Sequence, residues 1–131
     1  MITTKGRYAL RIMIDLAQHD TDAYIPLKDI AARQGISKKY LEVIVKDLVK
    51  GGLVSAASGK GGGYKLNRAP AQYSVGDILA ATEGSLAIVA CVAADAVECP
   101  HAESCHTLPM WREFDTMVHD FFERKKLTDL L

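Results

Sequence analysis

Apolar residues recur at helical spacing through most of the chain and change to strand-like alternation once. Tyr8, Ala9, Ile12, Met13 and Leu16 mark one face of a first helix running from about Lys5 to Gln18, with Thr3 and Thr4 placed to cap it. The run from His19 to Asp22 is a polar break. Leu27, Ile30 and Ala31 then repeat at i, i+3, i+4. Pro26 stands just ahead of them, where a missing N–H costs a helix nothing. Gly35 supplies the positive φ that a tight helix–helix corner needs. Ser37 is a good N-cap for the next helix, whose residues Leu41, Ile44, Val45 and Leu48 form an inward stripe. Gly51 and Gly52 end it in the C-terminal glycine pattern.

The alternation begins at Leu53. Residues from Leu53 to Ala57 read as a short strand, SGKGGG (58–63) as a glycine tip, and Tyr64, Lys65 and Leu66 as the returning strand. After a turn at Arg68 to Pro70, Ser74 caps a helix that ends at Gly84 and points Val75, Ile78 and Leu79 inward. From Leu108 to about Lys126 the pattern is helical again. Trp111, Phe114, Val118, Phe121 and Lys125 follow an a/d-like seam that Met117 and Phe122 widen, and LTDLL (127–131) closes the chain as a short amphipathic cap. This predicts a mainly α fold with a small β-hairpin wing: a winged helix-turn-helix followed by a long C-terminal helix. The aromatic surface of that last helix exceeds what a small domain needs for itself, which points to a dimerisation helix.

The second helix of the pair presents Lys38, Lys39, Glu42, Val43, Lys46 and Lys50 on its outer face. A short helix, a glycine corner and a helix with a basic outer face is the arrangement that lays its second helix in a DNA major groove. An ordinary αα-hairpin with a solvated lysine face carries the same periodicity. Charge separates the two. The net charge is zero, yet residues 1–68 hold twelve Lys and Arg against six Asp and Glu, while residues 69–131 hold four against ten. A basic half suits phosphate; the competing account is that the two halves pair with each other. The glycine tip lacks the spacing and the Lys-Ser/Thr ending of a nucleotide-binding loop, and no helix follows it directly. On the DNA reading, Lys39, Glu42 and Val43 face base edges, since Glu accepts from a cytosine amino group and Val meets a thymine methyl. Lys38, Lys46, Lys60, Lys65, Lys5 and Arg7 then contact phosphates.

About half of the residues are apolar, and no stretch is apolar enough to span a bilayer. Lys5, Arg7 and Arg11 interrupt the start, MITTKGRYALRIM, against the build of a signal peptide, so a cytoplasmic location is expected. In that compartment cysteines serve as thiols or metal ligands more often than as disulfides. All three, Cys91, Cys99 and Cys105, lie in one stretch spaced C-x7-C-x5-C. Three thiolates suit an iron–sulfur cluster or zinc, and either needs a further ligand. His101, His106, Asp95, Glu98 and Glu103 are near in sequence. The spacing alone does not choose between the two metals, and three unliganded thiols are the remaining possibility.

These pieces resemble the Rrf-two family of bacterial winged-helix regulators over nearly the whole chain, on its cluster-binding, IscR- and NsrR-like branch. The matching stretches are TKGRYAL (4–10), PLKDIAARQGIS (26–37), YLE (40–42), GLV (52–54), GKGGGY (59–64), SVGDIL (74–79) and EG (83–84), then the cysteine loop with TLPMW (107–111) and LTDLL. Each piece is weak alone; their order and spacing are specific. The resemblance implies a homodimer on palindromic promoter DNA. It also implies an iron–sulfur cluster, 2Fe–2S in IscR-like members and 4Fe–4S in some NsrR-like ones, that alters DNA affinity in response to redox state, nitric oxide or iron–sulfur status. It divides the chain into a DNA-binding domain (1–84), a cluster-binding loop (85–107) and a dimerisation helix with its cap (108–131). The implied metal ligands are Cys91, Cys99 and Cys105. IscR-like members take a histidine three residues after the third cysteine, where this chain has Leu108; His106 is the nearest substitute and His101 the second choice. NsrR-like members draw an aspartate from the first helix, where this chain has Arg7 and Tyr8. At the wing base, Ser58 stands where IscR-like members place a minor-groove arginine, leaving Lys60 as a general phosphate contact. A metal-free thiol switch and a zinc-structured regulator are the rival readings. A cysteine-nucleophile enzyme is a third, without any sign of an oxyanion hole.

Overall fold

The computed structural model describes residues 1–19, 22–93, 96–97 and 99–131. Asp20 and Thr21 of the polar break, and Asp95 and Glu98 of the cysteine stretch, lie outside the described residues. Among the described residues there are five α-helices and one two-stranded antiparallel sheet, with short 3-10 turns between them: α1 (Thr4–Gln18), α2 (Leu27–Gln34), α3 (Lys38–Lys50), β1 (Val54–Ala57), β2 (Gly63–Leu66), α4 (Val75–Glu83) and α5 (Leu108–Arg124). The winged helix-turn-helix and the long last helix are therefore present where the pattern predicts them. No helix among the described residues is long and apolar enough to cross a membrane.

The core forms because the apolar stripes of α1, α2, α3 and α4 turn toward one another. Ile12, Met13, Leu16, Ile30, Leu41, Ile44, Leu48 and Ile78 are fully or almost fully removed from solvent. Each such side chain contributes about 1.5–3 kcal/mol of apolar burial. Leu127 joins the same core although it lies beyond α5. The chain after α5 returns to pair with the segment ahead of α4: Val75 donates to the Lys125 carbonyl at 2.8 Å, and Leu127 donates to the Tyr73 carbonyl at 3.0 Å. The closing cap thus packs with residues far upstream.

The first helix is capped differently from the sequence expectation. The Thr3 side chain makes no capping bond to its own helix. Instead Glu83, the last residue of α4, accepts from the Thr3 N–H at 2.7 Å, the Thr3 hydroxyl at 2.8 Å and the Gly6 N–H at 2.9 Å. A carboxylate at a helix N-terminus satisfies its free donors and opposes its dipole. Any side chain at Gly6 would strike Glu83, since a Cβ there would lie 2.2 Å from its Oε1.

A second polar contact fixes the helix-turn-helix corner. Asp15 on α1 is fully buried. Its carboxylate accepts from Arg33 Nη2 at 2.7 Å, Arg33 Nε at 3.0 Å and Gln34 Nε2 at 2.9 Å, all from the last turn of α2. Arg11 reaches the same turn, donating to the Gln34 side-chain oxygen at 3.1 Å and to the Gln34 carbonyl. Gly35 then takes φ +64° and turns the chain into α3.

Burial pushes the Asp15 carboxyl up, but the hydrogen bonds from Arg33 and Gln34, with the charges of Arg33 and His19, outweigh it and leave it below its ordinary value. A carboxyl depressed on folding adds stability above its unfolded value, about 3.9, and loses it as pH falls through the lower folded value. Asp15→Asn is expected to cost about 2–3 kcal/mol at neutral pH, as charge-assisted bonds are lost. It is also expected to flatten the acid limb of the stability–pH profile. Urea unfolding of both proteins between pH 3 and 7 measures this; an unchanged acid limb would show that other carboxylates carry it.

Candidate functional site

The outer face of α3 is open. Ser37 caps the helix through a bond from the Tyr40 N–H at 3.1 Å, while Leu41, Ile44, Val45 and Leu48 hold the inner face in the core. That leaves Lys38, Lys39, Glu42, Val43 and Lys46 exposed on one surface, with Val43 an apolar side chain 52% open among charges. Tyr40 meets Tyr8 edge to face at 5.7 Å, which ties the start of α3 to α1. Two predicted phosphate ligands differ in state. Arg7 is exposed, and its guanidinium donates to the Thr4 hydroxyl at 3.2 Å. Lys5 is ion-paired with Asp47 on α3. Sequence reasoning placed Lys5 toward DNA without this partner, because nothing in the spacing joins position 5 to position 47.

The wing is pinned at both ends. Strands β1 and β2 pair from Val54↔Leu66 to Ala57↔Gly63, and the tip exposes Ser58 and Lys60. Lys65 lies over the Tyr24 ring, its Nζ 4.7 Å from the centroid. The segment before α2 adds a short third pairing: Ile25 and Tyr64 exchange bonds of 2.8 and 2.9 Å. Gly63 permits this approach, with φ +146° and a virtual Cβ 2.2 Å from the Ile25 carbonyl oxygen. At the wing base the buried Tyr73 hydroxyl donates to the Leu53 carbonyl at 2.8 Å and accepts from the Asn67 N–H at 3.0 Å. Asn67 and Arg68 both donate to the Gly52 carbonyl, at 2.9 and 3.0 Å. The wing therefore keeps a defined angle to the end of α3.

The cysteine loop connects α4 to α5. Cys91 and Cys99 are exposed, Cys105 is half-buried, and all three are free thiols. Cys91 and Cys99 line one cavity of about 250 Å³ together with Val97, Leu108 and Arg112. Cys105 is outside that lining and just before α5, its Sγ 3.5 Å from the Thr107 hydroxyl. The Thr107 hydroxyl, followed by the backbone N–H groups of Thr107 and Leu108, holds the Cys105 thiol below its ordinary value. His101, Glu103 and His106 are exposed. Among the described residues no three Cys, His, Asp or Glu side chains converge on one point. The donor types suit a thiolate-held cluster: Cys91 and Cys99 line one cavity, and hydrogen bonds at the start of α5 lower the third thiol from its ordinary value. Arg112 was not singled out from the sequence; its place one turn after Leu108, close behind the third cysteine, was the available signal.

On α5 the exposed apolar row is Met110, Phe114, Met117 and Phe121, each 41–60% open. Trp111, Val118 and Phe122 are half-buried. The outward seam is thus rotated from the predicted Trp111–Phe114–Val118–Phe121–Lys125 line, because the end of α5 packs on α4, where Gly76 lets the Phe122 backbone come close. Phe114, Met117 and Phe121 line a groove of about 610 Å³ with Met1, Ile2 and Ile88.

Residues 2–131 match the model of the Rrf2 family, described as iron-dependent transcriptional regulators. The chain belongs to the Rrf2 family. It is similar to the HTH-type transcriptional regulator IscR of Erwinia tasmaniensis, with 38% identity over 130 residues that cover 99% of this chain and 78% of that protein. Its fold is similar to that of CymR, the global cysteine regulator of B. subtilis, with a TM-score of 0.78 at 34% identity, covering 99% of this chain and 95% of that one. It is also similar to T. potens IscR, with a TM-score of 0.73 at 35% identity, covering 99% and 85%. The chain is a DNA-binding transcriptional regulator with an Rrf2 winged helix-turn-helix, and the family is one of regulators, not of enzymes.

Gly63→Ala is expected to cost about 1–3 kcal/mol through its backbone conformation alone, and to break the Ile25–Tyr64 pairing. Hydrogen exchange at the Tyr64 and Ile25 amides should accelerate while the amides of α1 stay protected. Equal protection at all of them would show that the wing tolerates the side chain.

Proposed function

We propose that the chain acts in the cytoplasm as a homodimeric regulator whose affinity for a palindromic operator depends on an iron–sulfur cluster in the 85–107 loop. The observation that carries this reading is structural continuity. The loop with all three thiols runs directly into α5; α5 packs on α4, and α4 packs on α3, whose basic face stands open beside the wing. Lys39, Glu42 and Val43 read base edges, and Lys38 and Lys46 grip phosphate. Ser58 and Lys60 at the wing tip and Arg7 on α1 extend the contact along the backbone, as does Lys5 once released from Asp47. Two copies joined through the Met110, Phe114, Met117 and Phe121 row set their recognition helices about one helical turn apart on DNA.

Cys91, Cys99 and Cys105 hold the cluster, with His106 as the fourth ligand and His101 as its substitute; a 2Fe–2S form suits this count best, and 4Fe–4S is the other form in the family. When bound, the cluster supplies one-electron redox chemistry and sensitivity to oxidants and nitric oxide. The chain's own part is to present the sulfurs beside the first turn of α5. On this view 1–84 is the DNA-binding unit, 85–107 the sensing loop and 108–131 the dimer element. A metal-free thiol switch is the second reading, favoured by the lowered Cys105 thiol and by the likeness to a cysteine regulator.

Anaerobic purification with a visible spectrum and iron and sulfide assays tests the cluster. A brown protein with matching iron and sulfide is expected. A colourless protein that takes up only zinc, or nothing, after reconstitution would leave the thiol switch or a zinc-structured regulator in its place. For the DNA face, Lys39→Ala and Glu42→Ala are each expected to lower discrimination between operator and random duplex by about 1–3 kcal/mol. Lys46→Ala should weaken both duplexes alike and shallow the salt dependence. Gel-shift titrations at several salt concentrations separate these outcomes; unaltered selectivity in the first two variants would mean that another surface reads the bases.

A further inference from the structure

Six arginines occur in the chain. Five of them donate to an acceptor: Arg7 to Thr4, Arg11 to Gln34, Arg33 to Asp15, Arg68 to Gly52 and Arg124 to the Asp120 carbonyl. The Arg112 guanidinium has no hydrogen bond or ion pair among the described residues. This is unexpected for its position. Residues 69–131 hold ten carboxylates against four cations, so partners are plentiful in this half. Arg112 instead lines the cavity of about 250 Å³ that Cys91 and Cys99 also line. It lies one turn beyond Leu108, a second lining residue, and so on the same face of α5.

A guanidinium is always charged and offers several donors in a plane. Sharing a cavity with Cys91 and Cys99, it has no anionic partner among the described residues. It has one when they are thiolates, and a larger one when they hold sulfide and iron. We infer that Arg112 is a positioning residue for the anionic form of this site, offsetting the charge gathered on Cys91 and Cys99 and favouring anions that enter their cavity. The part concerning a bound cluster rests on the reading proposed above; the anion preference of the cavity stands without it. Net charge and hydrogen bonds at the sulfurs are among the factors that set a cluster's potential. Loss of the guanidinium therefore favours the less negative, oxidised cluster and lowers the potential.

Two measurements on the full chain test this. The first uses cluster-free protein carrying Cys105→Ser, so that only Cys91 and Cys99 react. Rates are compared for an anionic and a neutral aromatic disulfide at one pH; their ratio cancels the thiolate fraction. Arg112→Gln is expected to lower the anionic-to-neutral ratio on the order of tenfold at low salt, and Arg112→Lys to retain most of it. An unchanged ratio in Arg112→Gln would overturn the proposal. The second measurement is redox titration of reconstituted protein with Cys105 intact. The equilibrium for reduction should fall about tenfold in Arg112→Gln, a shift of about 59 mV for one electron. A loaded variant with the wild-type potential would overturn the cluster part alone. A wild-type chain that takes up no cluster would defeat the cluster reading itself, and the reagent ratio would then decide whether Arg112 serves the thiols.

Discussion

A single buried carboxylate sets the geometry on which the DNA-binding half depends. Asp15 leaves water entirely, which for a lone charge would cost several kcal/mol. It is tolerated because Arg33 and Gln34 direct three donors at it from the last turn of α2. Those donors come from the two residues immediately ahead of Gly35, where the chain turns into α3. Apolar packing between α1 and α2 supplies attraction without direction. The paired hydrogen bonds supply direction, so the corner has one setting and α3 leaves it at one angle. Arg11 repeats the constraint from the next turn of α1.

The same helix is held at its other end by Glu83, and the two contacts divide the work. Asp15 relates α1 to α2 and the corner, while Glu83 relates the start of α1 to the end of α4. Since α4 also packs on α3 and α5, its position is shared by the recognition helix and by the helix that follows the cysteines. The tail closes the circuit: Val75 and Leu127 bond across the start of α4, and Leu127 enters the core. Helix α5 thus begins at the thiols and ends anchored on the DNA-binding unit. A change in charge or shape at the loop acts on an element whose far end is fixed to that unit. Packing through α4 thus connects the helix that follows the cysteine loop to α3 and its open face.

Much of the fold was legible because it rests on local rules. The stripe at Leu41, Ile44, Val45 and Leu48, the Ser37 cap and the Gly35 turn are consequences of helical period and backbone freedom, and each is found where those rules put it. The wing was legible for the same reason. The α5 seam was only half legible. Periodicity showed a broad apolar face, but which part stays open depends on how the end of the helix meets α4. Lys5 shows a different failure: its basic charge was visible, and its Asp47 partner, forty-two positions away, was not. The three thiols were legible as a group, whereas Arg112 in the cavity of two of them was not, since sharing a cavity is a property of the folded loop.

The sequence by itself determined the order of the elements, the identity of the open face of α3, the glycine-tipped hairpin and the gathering of every cysteine into one stretch. These follow from residue type and spacing, because helix period, turn chemistry and charge are read over a few neighbouring positions. Tertiary structure alone decided that Glu83 caps a helix some eighty residues earlier, that Asp15 is buried and paired, that Leu127 belongs to the first core, and that Cys91 and Cys99 share a cavity with Arg112. Each of these joins residues far apart in the chain or across a loop without a period. Such contacts are selected by the packing of whole elements, and no local pattern encodes which partners that packing will bring together.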